Sequence, residues 1–170
     1  MNEERLLLPF VDGVSVEAMD YALRFSKAAQ LPLVTLALIP QPITGSIRAE
    51  HIQQANDFLE TMEARAEMHR LSIERHECFS QDTARSILDA LVQLRCQGII
   101  FLFQDDNPCF LDLKEVKSVQ QHADANVYLL HLPQKEQKSN YSHPLRRLRR
   151  HTFFKWLYAL LLAVTKHTAT

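Results

Sequence analysis

Asp12, Asp105 and Asp106 each follow an apolar run, one beginning Leu6-Leu7-Leu8 and the other Ile99-Ile100-Phe101-Leu102-Phe103. Three carboxylates gathered at the ends of neighbouring strands hold Mg²⁺ or Ca²⁺ through their oxygens. No fixed ligand spacing accompanies these three, and a solvated acidic loop is the preferred reading. His76 and Cys78 share one strand face by parity, but two ligands do not make a metal site. Cys109 is a nucleophile by type; the sequence places no base beside it, so it reads as an ordinary loop cysteine. Cys78, Cys96 and Cys109 have no paired spacing, which signals neither a disulfide framework nor a zinc site and fits a reducing cytosol. The expectation is a chain with no catalytic residue, no metal and no enzymatic activity.

The elements that must position these groups are legible from periodicity. Residues 5–40 read strand, tight acidic turn, helix, strand. The first strand meets the turn-forming pair Asp12-Gly13, and Val16, Met19, Ala22, Leu23, Ser26 and Ala29 recur at helical steps. The β-rich run Leu33-Val34-Thr35-Leu36-Ala37-Leu38-Ile39 then completes a βαβ unit, whose natural home is a parallel sheet. Its first turn lies at the carboxyl end of that sheet, where open α/β folds place ligands. A second helix carries Ile52, Ala55, Leu59, Met62 and Ala66. Residues 71–79, with Arg75-His76-Glu77 in the middle, predict an edge strand. Asp82 or Thr83 caps a third helix with the stripe Ala84, Ile87, Leu88, Leu91 and Leu94, which Gly98 ends. Residues 99–103 suit a strand buried on both faces. A polar loop, a fourth helix around residues 115–122, and the strand Val127-Tyr128-Leu129-Leu130 follow.

Charge divides the chain. Of its 170 residues, 1–133 carry 11 Lys+Arg against 19 Asp+Glu, a net of -8, whereas 134–170 carry 8 against 1, a net of +7. An acidic body argues against nucleic acid as its partner, because phosphates need a basic face. The opening Met1-Asn2-Glu3-Glu4 is the opposite of an export signal's basic n-region, so a cytoplasmic location is expected.

Asp12-Gly13 followed by Ala18-Met19-Asp20-Tyr21-Ala22-Leu23-Arg24-Phe25-Ser26-Lys27 resembles the acidic turn and first helix of the universal stress protein family, in the adenine-nucleotide α-hydrolase-like superfamily. Asp82 with Ile87-Leu88, residues 98–103, and Lys117-Ser118-Val119 before the last strand resemble later parts of that family. The resemblance spans residues 5–132 and implies an α/β, Rossmann-like open sheet of five parallel strands flanked by helices, with homodimerisation through the fifth strand. The family's nucleotide-binding branch carries a glycine-rich phosphate motif behind the fourth strand. This sequence has Gly13, Gly45 and Gly98 only, and Gln104-Asp105-Asp106-Asn107-Pro108-Cys109-Phe110 stands in that place. Pro108 removes an amide donor, and the two aspartates put negative charge where phosphates need positive partners.

The resemblance therefore implies a non-catalytic regulatory or adaptor module with no cofactor. The alternative it implies is an adenine-nucleotide-binding stress sensor, holding ATP with Mg through Asp12, Gly13, Ile39 and Ser118. Each of these has a plainer role: Asp12 in a turn or helix cap, Ile39 in the core, Ser118 as the cap of the fourth helix.

Residues 134–143 read as a polar linker, and 144–170 as a basic, then apolar, helical tail opened by Pro144. Arg146, Arg147, Arg149 and Arg150 precede an apolar stretch, residues 153–164, which as a helix is about 18 Å long against a hydrocarbon core of about 30 Å. Spanning a bilayer is therefore not expected. A helix in the membrane interface fits, with arginines at anionic headgroups and Phe153, Phe154, Trp156, Leu157, Leu160 and Leu161 at or in the apolar boundary. The same chemistry fits packing against the chain's own acidic body, a second subunit or another protein, so peripheral attachment to the inner membrane face and protein contact both stay open. The membrane reading predicts that the full chain co-sediments with anionic vesicles while a chain ending at residue 133 does not. Both staying in the supernatant rules it out.

Overall fold

The computed structural model describes residues 4–133. The linker 134–143 and the tail 144–170, with the arginine and aromatic contacts expected there, lie outside the described residues. The elements run β1 (Leu6–Phe10), α1 (Val16–Ala29), β2 (Leu33–Pro40), α2 (Ala49–Met68), β3 (Ile73–Ser80), α3 (Thr83–Gln93), β4 (Gly98–Gln104), β5 (Asn107–Pro108), α4 (Leu113–His122) and β6 (Asn126–His131). Strand order is β3-β2-β1-β4, with β6 parallel to β4 over its whole length and β5 antiparallel to it. Five parallel strands flanked by helices is the expected α/β fold, and the strand expected at the edge, β3, stands there. β5 is an addition, lying where the sequence predicts a polar loop.

Both faces of the sheet are covered, which is why β1, β2 and β4 are apolar at nearly every position. Leu6, Leu8, Phe10, Ala37 and Ile39 pack with Met19 and Leu23 of α1 and Phe58 and Met62 of α2. On the other face Leu7, Val34, Leu36, Ile99 and Phe101 pack with Ile87 and Leu91 of α3 and Val116 and Val119 of α4. β3 and β6, paired on one side only among the described residues, carry the polar positions, as edge strands do.

Local signals at the helix ends differ in two places from those expected. α3 stops at Gln93, and the chain reverses through Arg95 at φ 52, with Cys96 N donating to Leu91 O at 2.9 Å. Gly98 does not end the helix; it opens β4, where a Cβ would sit 2.7 Å from Leu6 Cδ2 and 2.8 Å from Tyr128 Cε2. α4 begins at Leu113 after Asp112, whose N–H donates to the Glu115 carboxylate at 3.1 Å. Ser118 therefore lies inside α4 and caps nothing.

α1 and α2 are tied together outside the core. Arg65 Nε donates to Asp20 Oδ1 at 2.7 Å, its Nη2 pairs with Asp20 Oδ2, and His69 Nε2 lies 3.3 Å from Oδ1. The hydrogen bond from Arg65 is the main reason the Asp20 carboxyl is held below its ordinary range, with His69 adding to it against a cost of burial. A depressed carboxylate contributes stability above its unfolded pKa and loses it as pH falls through the folded one. Asp20→Asn should lower the melting temperature by roughly 3 °C at neutral pH. The gap to the natural chain should narrow as pH falls below the ordinary carboxylate range and through the depressed folded pKa of Asp20, where its carboxyl takes up a proton.

Candidate functional site

The candidate site is the carboxyl end of the sheet between β1 and β4, where strand order reverses direction from the first strand. The two strands pair only at Leu6↔Gly98 and Leu7↔Ile99. Beyond that the ladder stops, and an opening between them is the crevice that such folds offer to ligands.

Here the chain fills that opening itself. Asp105 and Asp106 take φ values of 48 and 66, which makes a two-residue reversal of the kind that matches strand twist. It sends residues 107–110 back along β4, pairing Gln104↔Asn107 and Phe103↔Pro108. Cys109 N then donates to Leu102 O at 2.8 Å, and on the opposite side Phe110 O accepts from Val11 N at 3.0 Å and Asp12 N at 3.4 Å. The returning segment thus bridges β4 to the turn after β1. Its side chain completes the wedge: Phe110, buried, meets Phe10 and Phe58 at ring separations of 5.7 and 5.6 Å, and these two stack at 4.1 Å. The cavity bounded by Pro9, Leu102, Pro108, Phe110 and Val116 measures about 10 Å³, the room of one water.

Of the residues singled out in the sequence, Asp12 and Gly13 are at this place. Gly13 has φ +78, and a Cβ there would lie 2.8 Å from Cys109 O, so the turn and the returning strand touch through a position without a side chain. Asp12 is exposed and sits in the turn; the cap of α1 is Ser15, whose Oγ accepts from Ala18 N at 3.3 Å. Ile39 is fully buried in the core against α1 and α2. Ser118 is half-buried in α4, where its carbonyl lies 2.7 Å from His122 Nδ1. Asp12, Asp105 and Asp106 do not converge: among the described residues no group of three His, Cys, Asp or Glu could hold a metal ion.

Cys96 and Cys109 are not activated as nucleophiles. Burial pushes the thiols of Cys96 and Cys109 up, away from the thiolate. His76 Nε2 is 2.6 Å from Glu74 Oε1, while the other oxygen of Glu74 pairs with Arg5, so this cluster fastens the edge strand β3 to the start of β1. Sequence reasoning did not single out Phe110 and Phe58, whose contacts with Phe10 join distant parts of the chain.

No family model matches this chain, and neither does any curated protein. Solved structures do share its fold. The universal stress protein from Archaeoglobus fulgidus in complex with dAMP aligns with a TM-score of 0.57 at 15% identity, covering 76% of this chain and 98% of that one. A protein of the universal stress protein family from Burkholderia pseudomallei gives 0.59 at 15% identity, with the same coverages. A universal stress protein in complex with cAMP gives 0.53 at 10%, again over 76% and 98%. The architecture of residues 4–133 is that of universal stress proteins.

Gly13→Ala should destabilise the domain by about 1–3 kcal/mol, measured by denaturant unfolding, because it forces an L side chain to positive φ against a backbone oxygen. Gly13→Asn, which tolerates the dihedral but keeps the Cβ, should recover only part of this.

Proposed function

We propose that this chain is a regulatory or adaptor module of the universal stress protein type, non-catalytic and working without bound ATP. One observation carries the reading: the backbone amides of Val11 and Asp12, at the turn where a phosphate would be met, donate to Phe110 O of the returning segment. A phosphate cradle needs several bare N–H groups aimed at one point. Val11, Asp12 and Cys109 have theirs engaged, Pro108 has none, and Asp105 with Asp106 adds negative charge. These residues do not fit the triphosphate of ATP or its Mg²⁺.

A second reading has its own support. Two structures with this fold are described in complex with dAMP and cAMP, so an adenine-nucleotide sensor with an atypical loop is the competing function, with Asp12, Gly13, Ile39 and Ser118 as its contacts. Against it stand the burial of Ile39 and the mid-helix position of Ser118.

The module is proposed to be cytoplasmic. It is proposed to dimerise through the outer edge of β6, where Leu129 is exposed, and to reach an anionic membrane surface or a protein partner through residues 144–170. No described helix is long and apolar enough to cross a membrane.

Thermal unfolding with and without millimolar Mg-ATP separates the two functions. A ligand at a hundred times its Kd stabilises by about 2.7 kcal/mol, a shift of several degrees. No shift is expected here, and a saturable one would overturn the reading.

A further inference from the structure

The carboxyl end of the sheet differs in chemistry from the amino end. Exposed large apolar side chains are more numerous there, Val14 after β1, Ile43 after β2, Phe79 at the end of β3, and Val16 and Leu113 at the starts of α1 and α4, against Met68 and Val92 at the ends of α2 and α3 toward the amino end. The loops at this end, residues 11–15, 41–48, 81–82 and 105–112, carry Asp12, Asp82, Asp105, Asp106 and Asp112 against a single Arg48. At the amino end the loops 30–32, 69–72, 94–97 and 123–125 hold Arg70 and Arg95 against Asp124. Apolar side chains within an acidic rim are the reverse of what a phosphate or an anionic lipid would require.

We propose that this end of the sheet is a docking surface for a basic peptide segment bearing apolar side chains. The inference rests on the adaptor reading and gives it a partner chemistry. Parallel strands about 4.8 Å apart bring the ends of β3, β2, β1 and β4 within about 15 Å of one another, the length of a ten-residue helix. Gln41 N donates to Ser80 O at 2.7 Å, which sets the loop bearing Ile43 beside the end of β3 and Phe79. The hydrogen bonds from Val11 and Asp12 to Phe110 likewise set the Val14 loop beside the approach to Leu113. These loops bring exposed apolar side chains and aspartates to one end of the sheet; Asp82 and Asp112 also cap α3 and α4. Such aspartates steer an arginine- or lysine-rich partner and select against acidic ones, while the apolar side chains hold it.

The test uses the full chain and two synthetic amphipathic peptides of about 18 residues with the same leucine face, one with arginine and one with glutamate on the polar face. In fluorescence polarisation the arginine peptide should bind saturably and weaken as salt rises from about 50 to about 300 mM, where screening shortens. The double substitution Ile43→Ser with Phe79→Ser should weaken it about tenfold or more, the loss expected of buried anchor side chains. Val92→Ser, at an exposed apolar position on α3 away from this end, should leave it unchanged. Asp12→Asn with Asp106→Asn keeps residues tolerant of those turns and should reduce binding at low salt; it replaces the first pair should that variant fail to fold. Equal binding of the glutamate peptide, no loss on either double substitution, or an equal loss in Val92→Ser overturns the docking surface. Such a result with no Mg-ATP shift leaves the adaptor reading standing, whereas a Mg-ATP shift removes that reading whatever the peptides do.

Discussion

β1 and β4 must lie side by side to hold a doubly covered parallel sheet together, yet their ladder ends after two residues, and the carboxyl half of the gap needs something else to satisfy its backbone. In this chain the something else is residues 107–110. Cys109 bonds one lip of the gap and Phe110 the other, so Leu102 O, Val11 N and Asp12 N find partners within the chain. The aromatic ring of Phe110 then drops onto Phe10 and Phe58, joining the plug to the core under α2. Turn, strand and core thus depend on one another: Gly13 must lack a side chain because Cys109 O is there, and Cys109 is there because two aspartates accept positive φ.

This arrangement occupies the place where open α/β sheets take their ligands. Open α/β sheets keep their switch-point crevice for ligands, since backbone amides at its rim are otherwise unpaired. Once those amides are spent internally, the chemistry of the same end of the molecule is set by side chains on its loops, which here are acidic and apolar. Stability comes from the two buried layers, which Phe110 joins, and from the half-buried Asp20–Arg65 pair that ties α1 to α2.

Much of this was legible in the sequence because it is local. The apolar runs of β1, β2 and β4 and the stripes of α1, α2 and α3 announce themselves by period, and each expected strand is found within two residues. The charged and polar residues 75–77 mark β3 as an edge, where it stands. Gly98 was misjudged because a glycine near a helix end suggests a stop, whereas its role is steric, between Leu6 and Tyr128 from two other strands. Ser118 was misjudged because a serine near a helix suggests a cap, while Asp112 and Glu115 had already begun α4.

Composition and spacing alone determined that residues 1–133 hold the elements of a parallel α/β layer structure, that the body is acidic, and that glycine is missing behind the fourth strand. They did not determine what stands in the glycines' place. An Asp-Asp reversal carries no signal comparable to Asn-Gly, and the partners that make it a plug, Val11, Asp12, Phe10 and Phe58, come from distant parts of the chain. Only tertiary structure brings them together, because hydrogen bonds and ring contacts between such separated residues depend on strand order, which no short stretch of sequence encodes.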